Sequence, residues 1–218
     1  MAGVRTFYRS LVGKKIIMAV TGLLLLLFVL FHLTANLEIF LGREALNRRA
    51  ATLDSLGLLL WTARATLLVT FCVHVVAAIQ VWWASYRARP IPYQVKKDIA
   101  TSYAARTMII SGPLILFFLI YHVMMFTLLV TGPGYSRTDV YSNVVAAFQV
   151  PSISGVYILT MLILGYHLYH ATWSMIHTFG ISYPRYQRLR WILSPALAAI
   201  VTLGFILIPV AVLTGFIQ

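Results

Sequence analysis

Residues 13–37 read GKKIIMAVTGLLLLLFVLFHLTANL, and this stretch decides the class of fold. After the two lysines, no charged side chain occurs until Glu38. A helix needs about 20 predominantly apolar residues to cross a bilayer. The run is longer than the apolar core of a signal peptide and has no small-residue cleavage site behind it. We therefore expect a retained first transmembrane helix.

The composition extends this prediction to the whole chain of 218 residues, of which 61% are hydrophobic and 10% charged. Soluble domains carry about 25% charged residues, so the chain has the composition of a membrane protein. Its loops are too short for a nucleotide-binding fold or a soluble catalytic domain. We predict an all-α integral membrane bundle of five transmembrane helices, one domain over residues 1–218, with spans at 15–40, 60–86, 104–131, 152–179 and 191–217.

The net charge of +12 lies in the loops and indicates orientation, because it forms no basic stripe of the kind that binds nucleic acid. Twelve of the 17 basic residues fall on one side of the predicted spans, and four of the five acidic residues fall on the other. By the positive-inside rule, the N-terminus is then cytoplasmic and the C-terminus lies outside. The basic residues of the cytoplasmic side are Arg5, Arg9, Lys14, Lys15, Arg87, Arg89, Lys96, Lys97, Arg106, Arg185, Arg188 and Arg190.

All six histidines lie within the predicted spans, and four of them match in depth as two pairs. His32 and His122 follow the cytoplasmic ends of helices one and three by 17 and 16 residues, which is about 25 Å of helix. His74 lies 14 residues below Leu60 in helix two, and His167 lies 14 residues below Ile153 in helix four. The pattern predicts one pair toward the outer side and a second pair deeper toward the cytoplasm. The remaining two histidines are His170 and His177.

Two facing imidazoles from different helices supply both axial nitrogens of a six-coordinate b-type haem. Structural zinc instead needs four ligands that converge on one point, and the single Cys72 cannot form a cysteine cluster or an intrachain disulfide. The pairs therefore favour two haems. A proton relay, a histidine-rich transporter or metal channel, and a structural anchor without haem are the alternatives. A lone membrane histidine is also a common core residue.

The quoted stretch resembles the first helix of the cytochrome b subunit of succinate dehydrogenase and fumarate reductase. The shared features are G-K-K-x-x-M-A-x-T-G, then His32, then Asn36-Leu37. Residues 74–90, HVVAAIQVWWASYRARP, are similar to the second helix of that family. Residues 166–173, YHLYHATW, resemble its H-x-x-x-G-x-W segment, with Ala171 in place of the glycine. The resemblance extends over the whole chain. Within this family, the chain is most similar to the single-chain type with five helices and two haems.

This resemblance implies a membrane anchor in the bacterial cytoplasmic (inner) membrane that carries two haem b groups. His74 and His167 become the axial pair of the inner haem, and His32 and His122 that of the outer haem. The implied partners are the flavoprotein and iron-sulfur subunits of complex II on the cytoplasmic side, a quinone, expected to be menaquinone, the lipid around the bundle, and further copies in a higher oligomer. The anchor has no succinate chemistry of its own.

Further roles are assigned with this family in view. We predict that His177 donates to the cytoplasmic-side propionates of the inner haem and that His170 is not an iron ligand. No acidic residue occurs in helix four, where some relatives have one for protons. The candidate quinone residues are Glu38, Trp61 and Arg64 on the outer side and Lys14, Lys15 and Arg106 on the inner side.

Overall fold

A computed structural model of the chain describes residues 7–88, 103–131, 135–181 and 184–218, with the backbone alone for 103–105 and 184–186. Its helices are numbered here in chain order, and a single 3-10 turn, Glu38–Leu41, follows the first. The helices are α1 (Leu11–Leu37), α2 (Arg43–Ser55), α3 (Leu58–Arg87), α4 (Tyr103–Phe126), α5 (Val140–Phe148), α6 (Pro151–Thr178) and α7 (Pro184–Leu213).

Five of these helices, α1, α3, α4, α6 and α7, are long and apolar enough to cross a membrane. The described ranges contain helices and turns and no strand. The predicted fold class, an all-α bundle with five membrane-spanning helices, is thus confirmed. Local signals set several of the helix ends: Ser10 caps α1 by accepting a hydrogen bond from the Gly13 amide at 2.9 Å, and Pro151 occupies the first turn of α6.

Two of the predicted spans are wrong at their ends. The third was expected to run to residue 131, but α4 ends at Phe126, where the amides of Thr127 and Leu128 both bond to the Val123 carbonyl and Leu129 takes a positive φ of 56°. The fifth was expected over 191–217, whereas α7 runs from Pro184 to Leu213. Apolar residues continue past Phe126 and Leu213, so hydropathy alone places these two ends poorly, whereas α7 begins at Pro184 in a charged stretch that hydropathy leaves out.

The two segments predicted as outer loops, 41–59 and 132–151, contain the short helices α2 and α5. Asp139 joins these helices. It accepts hydrogen bonds from Asn47 at 2.8 Å and from the Ser142 amide at 3.3 Å, which caps α5, and it forms an ion pair with Arg43. The bonds from Asn47 and Ser142, with that of Arg43, hold the pKa of Asp139 well below its usual range. The end of the bundle predicted to be outer therefore carries a charged, hydrogen-bonded cap.

The bundle is organised around α1 and α6. Helix α3 packs against α1, α4 packs against α6, α6 and α7 form an antiparallel pair, and α1 also contacts α6 and α7. Small residues allow the close approach of α6 and α7, as is common in membrane bundles. At Gly165 a Cβ atom would lie 2.3 Å from Oγ1 of Thr202, whose hydroxyl donates to the Met161 carbonyl at 3.3 Å. Gly165 is therefore a contact point between the two helices.

We expect Gly165→Ala to lower the thermal stability of the purified protein, at a cost of about 1–3 kcal/mol for overpacking. Adding Thr202→Ala should restore stability, because it removes the hydroxyl that the new methyl group would meet. Gly155→Ala is the matched control on the same helix, since a Cβ there meets nothing within 4 Å. Thermal unfolding in one detergent compares the variants, and equal midpoints for all of them would contradict this packing.

Candidate histidine-pair sites

The structure brings the four depth-matched histidines together as two pairs, each joining different helices. His32 of α1 faces His122 of α4, with ring centroids 5.8 Å apart and ring planes at 87°. His74 of α3 and His167 of α6 lie within range of mutual electrostatic interaction. Each pair therefore brings together imidazoles from two different helices, and the rings of the outer pair are in direct contact.

The spacing of the outer pair suits two nitrogens on opposite sides of one metal ion. A transition-metal bond to imidazole nitrogen is about 2 Å long, as in zinc sites, so nitrogens on opposite sides lie about 4 Å apart and their ring centres about 6 Å apart. The observed 5.8 Å is close to this value. The donor set, two neutral imidazoles in apolar surroundings, is that of a b-type haem, so the residues fit the group.

Aromatic rings surround the outer pair. Phe28 stacks on His32 with centroids 5.5 Å apart, and Phe118 stacks on His122 at 5.9 Å. Phe205 and Phe126 approach these two histidines at 5.8 Å and 5.6 Å. The setting is the apolar environment that a porphyrin requires, and it favours neutral imidazoles because burial of an unpaired charge is costly.

Tyr157 holds the orientation of His122. Its hydroxyl lies 3.2 Å from Nδ1 of His122 and donates to Sδ of Met125 at 3.7 Å. Since that proton is directed to the sulfur, the oxygen is available to accept from Nδ1–H. Tyr157 and Met125 are buried, 6% and 1% exposed, within the apolar cluster at the outer end. The other ring nitrogen of His122, Nε2, is then left as the metal-binding atom.

His32 has a different polar neighbour. The side-chain amide nitrogen of Asn36, one turn later on α1, donates to the His32 carbonyl at 2.7 Å. The same nitrogen lies 3.4 Å from Nδ1 and 3.3 Å from Nε2 of the ring. Asn36 therefore contacts both ring nitrogens and does not select one of them.

The inner pair is held by hydroxyl groups of two further helices. Oγ1 of Thr21 on α1 lies 3.2 Å from Nδ1 of His74, and Oγ of Ser111 on α4 lies 3.4 Å from Nδ1 of His167. Thr21 and Ser111 are both buried. Both histidines thus have an oxygen at Nδ1, which leaves Nε2 as the nitrogen for a metal.

The other two histidines occupy α6 below His167. His170 is half-buried one turn later and lies within electrostatic range of His167. His177 is exposed at the end of α6. Among the described residues, no group of three or more His, Cys, Asp or Glu side chains is placed to hold a metal ion, so the histidines act in pairs or singly.

The residues predicted to bind quinone on the outer side do not form one contact with each other. Glu38 accepts from Nε of Arg49 at 2.9 Å and forms an ion pair with it. The guanidinium of Arg64 lies 5.0 Å from the centroid of the Trp61 ring, and both side chains are exposed. On the inner side, Lys14 is half-buried and Lys15 and Arg106 are exposed.

The sequence analysis did not predict the polar partners of the histidines. A usable signal was present, since polar side chains within apolar spans tend to be functional or structural. Thr21, Ser111 and Tyr157 meet that description, but their sequence positions do not state which histidine each one faces.

No family model, curated protein or solved structure matches the chain.

Proposed function

We propose that the chain is a di-haem b membrane anchor of a succinate:quinone oxidoreductase, which passes electrons between an iron-sulfur subunit and a quinone, with menaquinone as the expected quinone. One observation carries this proposal. Four helices contribute one histidine each: the rings of His32 and His122 are 5.8 Å apart, and His74 lies within electrostatic range of His167. The resemblance of residues 13–37, 74–90 and 166–173 to the family adds support from the sequence.

When bound, the two haems supply one-electron transfer. The chain's own residues would hold the haems through the imidazole nitrogens of His32, His122, His74 and His167, and hydrogen bonds to these rings would orient them. Thr21, Ser111 and Tyr157 perform this last role, which tunes ligand basicity in metal sites generally. The anchor itself performs no chemistry on succinate.

The partners proposed for the cytoplasmic side are the flavoprotein and the iron-sulfur protein of complex II. The basic inner segments offer a surface for the iron-sulfur protein. Of their residues, Arg87 is exposed and lies 5.0 Å from the Trp83 ring, and Arg188 is exposed as well. Arg5, Arg89, Lys96 and Lys97 lie outside the described residues, as does the side chain of Arg185. The proposed location is the bacterial cytoplasmic membrane, with the N-terminus in the cytoplasm.

His177 is proposed to donate to the propionates of the inner haem. It lies ten residues beyond His167, about 15 Å further along α6. Its exposure at the helix end suits a contact with a carboxylate that reaches toward the membrane surface.

Reduced-minus-oxidised visible spectra of membranes that contain the intact complex test the proposal. Low-spin haem b gives sharp α and Soret bands, and succinate should reduce part of this haem because the proposed route runs from the flavoprotein through the iron-sulfur protein to the anchor. The control is a chain with alanine at positions 32, 74, 122 and 167, which should lack these bands. A transporter or metal channel would show no haem bands at normal protein levels, and that result would overturn the proposal.

A further inference from the structure

Thr21 makes a direct contact between α1 and the histidine of another helix. It is 9% exposed, and its Oγ1 lies 3.2 Å from Nδ1 of His74 on α3. The two residues are 53 positions apart in the chain, so the contact exists only because α1 packs against α3.

The hydroxyl proton of Thr21 is committed to its own helix. Oγ1 donates to the Ile17 carbonyl at 2.8 Å, with the Met18 carbonyl at 3.2 Å as its alternative acceptor. This back-bonding to the preceding turn is usual for threonine in a helix. The oxygen therefore presents only lone pairs to His74, and Nδ1 of His74 must carry the hydrogen of the contact.

The backbone of α1 also fixes the position of the ring. A Cβ atom at Gly22 would lie 3.2 Å from Cε1 and 3.6 Å from Nδ1 of His74. The imidazole thus rests against the one residue beside Thr21 that has no side chain. A side chain at this position would require the ring to shift by a few tenths of an ångström.

We infer that Thr21 is a positioning residue for the inner haem: by accepting from Nδ1–H of His74, it fixes the tautomer whose Nε2 lone pair binds iron. The inference rests on the proposed function. Ser111 repeats the arrangement at His167, but over a longer 3.4 Å. A hydrogen bond accepted from Nδ1–H makes Nε2 a stronger donor, which stabilises the oxidised, more positive iron. Loss of the Thr21 hydroxyl should therefore raise the midpoint potential of the inner haem.

The test compares Thr21→Val, which keeps the shape but loses the oxygen, with Thr21→Ser, which keeps the oxygen. Thr34→Val is the matched control, since Thr34 lies on the same helix and its exposed hydroxyl bonds only to the Phe31 carbonyl at 2.7 Å. Redox titration and the low-spin EPR signals of each haem are measured in the intact complex. The inner haem is identified as the one missing in His167→Ala.

We expect Thr21→Val to raise the midpoint potential of the inner haem and to shift its EPR signal. The affinity of the chain for this haem should fall by about 10–100-fold, the usual effect of losing a hydrogen-bond partner of a metal-binding histidine. Thr21→Ser and Thr34→Val should match the wild type, and Thr21→Ala replaces Thr21→Val if the latter does not accumulate. Wild-type behaviour of Thr21→Val, or an equal shift in Thr34→Val, would overturn the inference alone. A wild-type complex without low-spin haem would overturn the proposed function and this inference together.

Discussion

His167→Ala should abolish the low-spin inner haem and leave the outer haem in place, which halves the haem content of the complex. His170→Ala should keep both haems, with at most a shifted potential. Visible spectra at low temperature and the haem content per chain are measured for both variants. The expectation follows from position, since His167 is the histidine of α6 that matches His74 in depth and has the Ser111 hydroxyl at its Nδ1.

His170 lies three residues further along α6, about 4.5 Å deeper. Trp173, one turn beyond it, is engaged by the guanidinium of Arg190 at 4.9 Å and by the Trp191 ring at 5.0 Å. The bulky Trp173 thus stands at i+3 from His170, whereas His167 has the small Ala171 at i+4. Loss of the inner haem in His170→Ala, together with its retention in His167→Ala, would reverse the assignment.

His122→Ala should remove the outer haem and spare the inner one, again halving the haem content. Without His122, only His32 would remain to bind the iron of the outer haem. The orientation of the His32 ring is itself not fixed by one contact, because Asn36 touches both of its ring nitrogens. The same measurements as for His167→Ala apply, and the two variants should lose spectrally different haems.

Tyr157→Phe separates the orienting contact from the ligand itself. It removes the hydroxyl 3.2 Å from Nδ1 of His122 and keeps the ring that packs against Phe118 and Phe148. We expect it to retain the outer haem with a raised midpoint potential, because the contact at Nδ1 is lost while His122 remains. An unchanged haem complement in His122→Ala would exclude the His32–His122 pair as a haem site.

The sequence was sufficient to predict the five membrane-spanning helices, because each one is a run of apolar residues longer than the bilayer requires. It was insufficient for the ends of α4 and α7, where apolar residues continue past the last helical turn. It also did not predict the outer cap, since Arg43 and Asp139 meet across 96 positions and both helices of the cap are short.

The depth of each histidine could likewise be counted from the sequence, and the structure places His32 beside His122 and His74 near His167. The rotation of each helix about its axis could not be obtained by counting residues. That rotation decides which hydroxyl meets which ring, so the contacts of Thr21, Ser111 and Tyr157, across 53, 56 and 35 positions, emerged only from the packed helices.

The central claim, that the two histidine pairs each bind one haem, is tested most directly by the ratio of haem b to chain. A pyridine haemochrome assay on the purified complex, with the chain quantified independently, measures this ratio. The di-haem proposal predicts two haem b groups per chain, falling to one in His167→Ala and one in His122→Ala. A wild-type ratio of one or none, or a ratio of two that survives both substitutions, would contradict it.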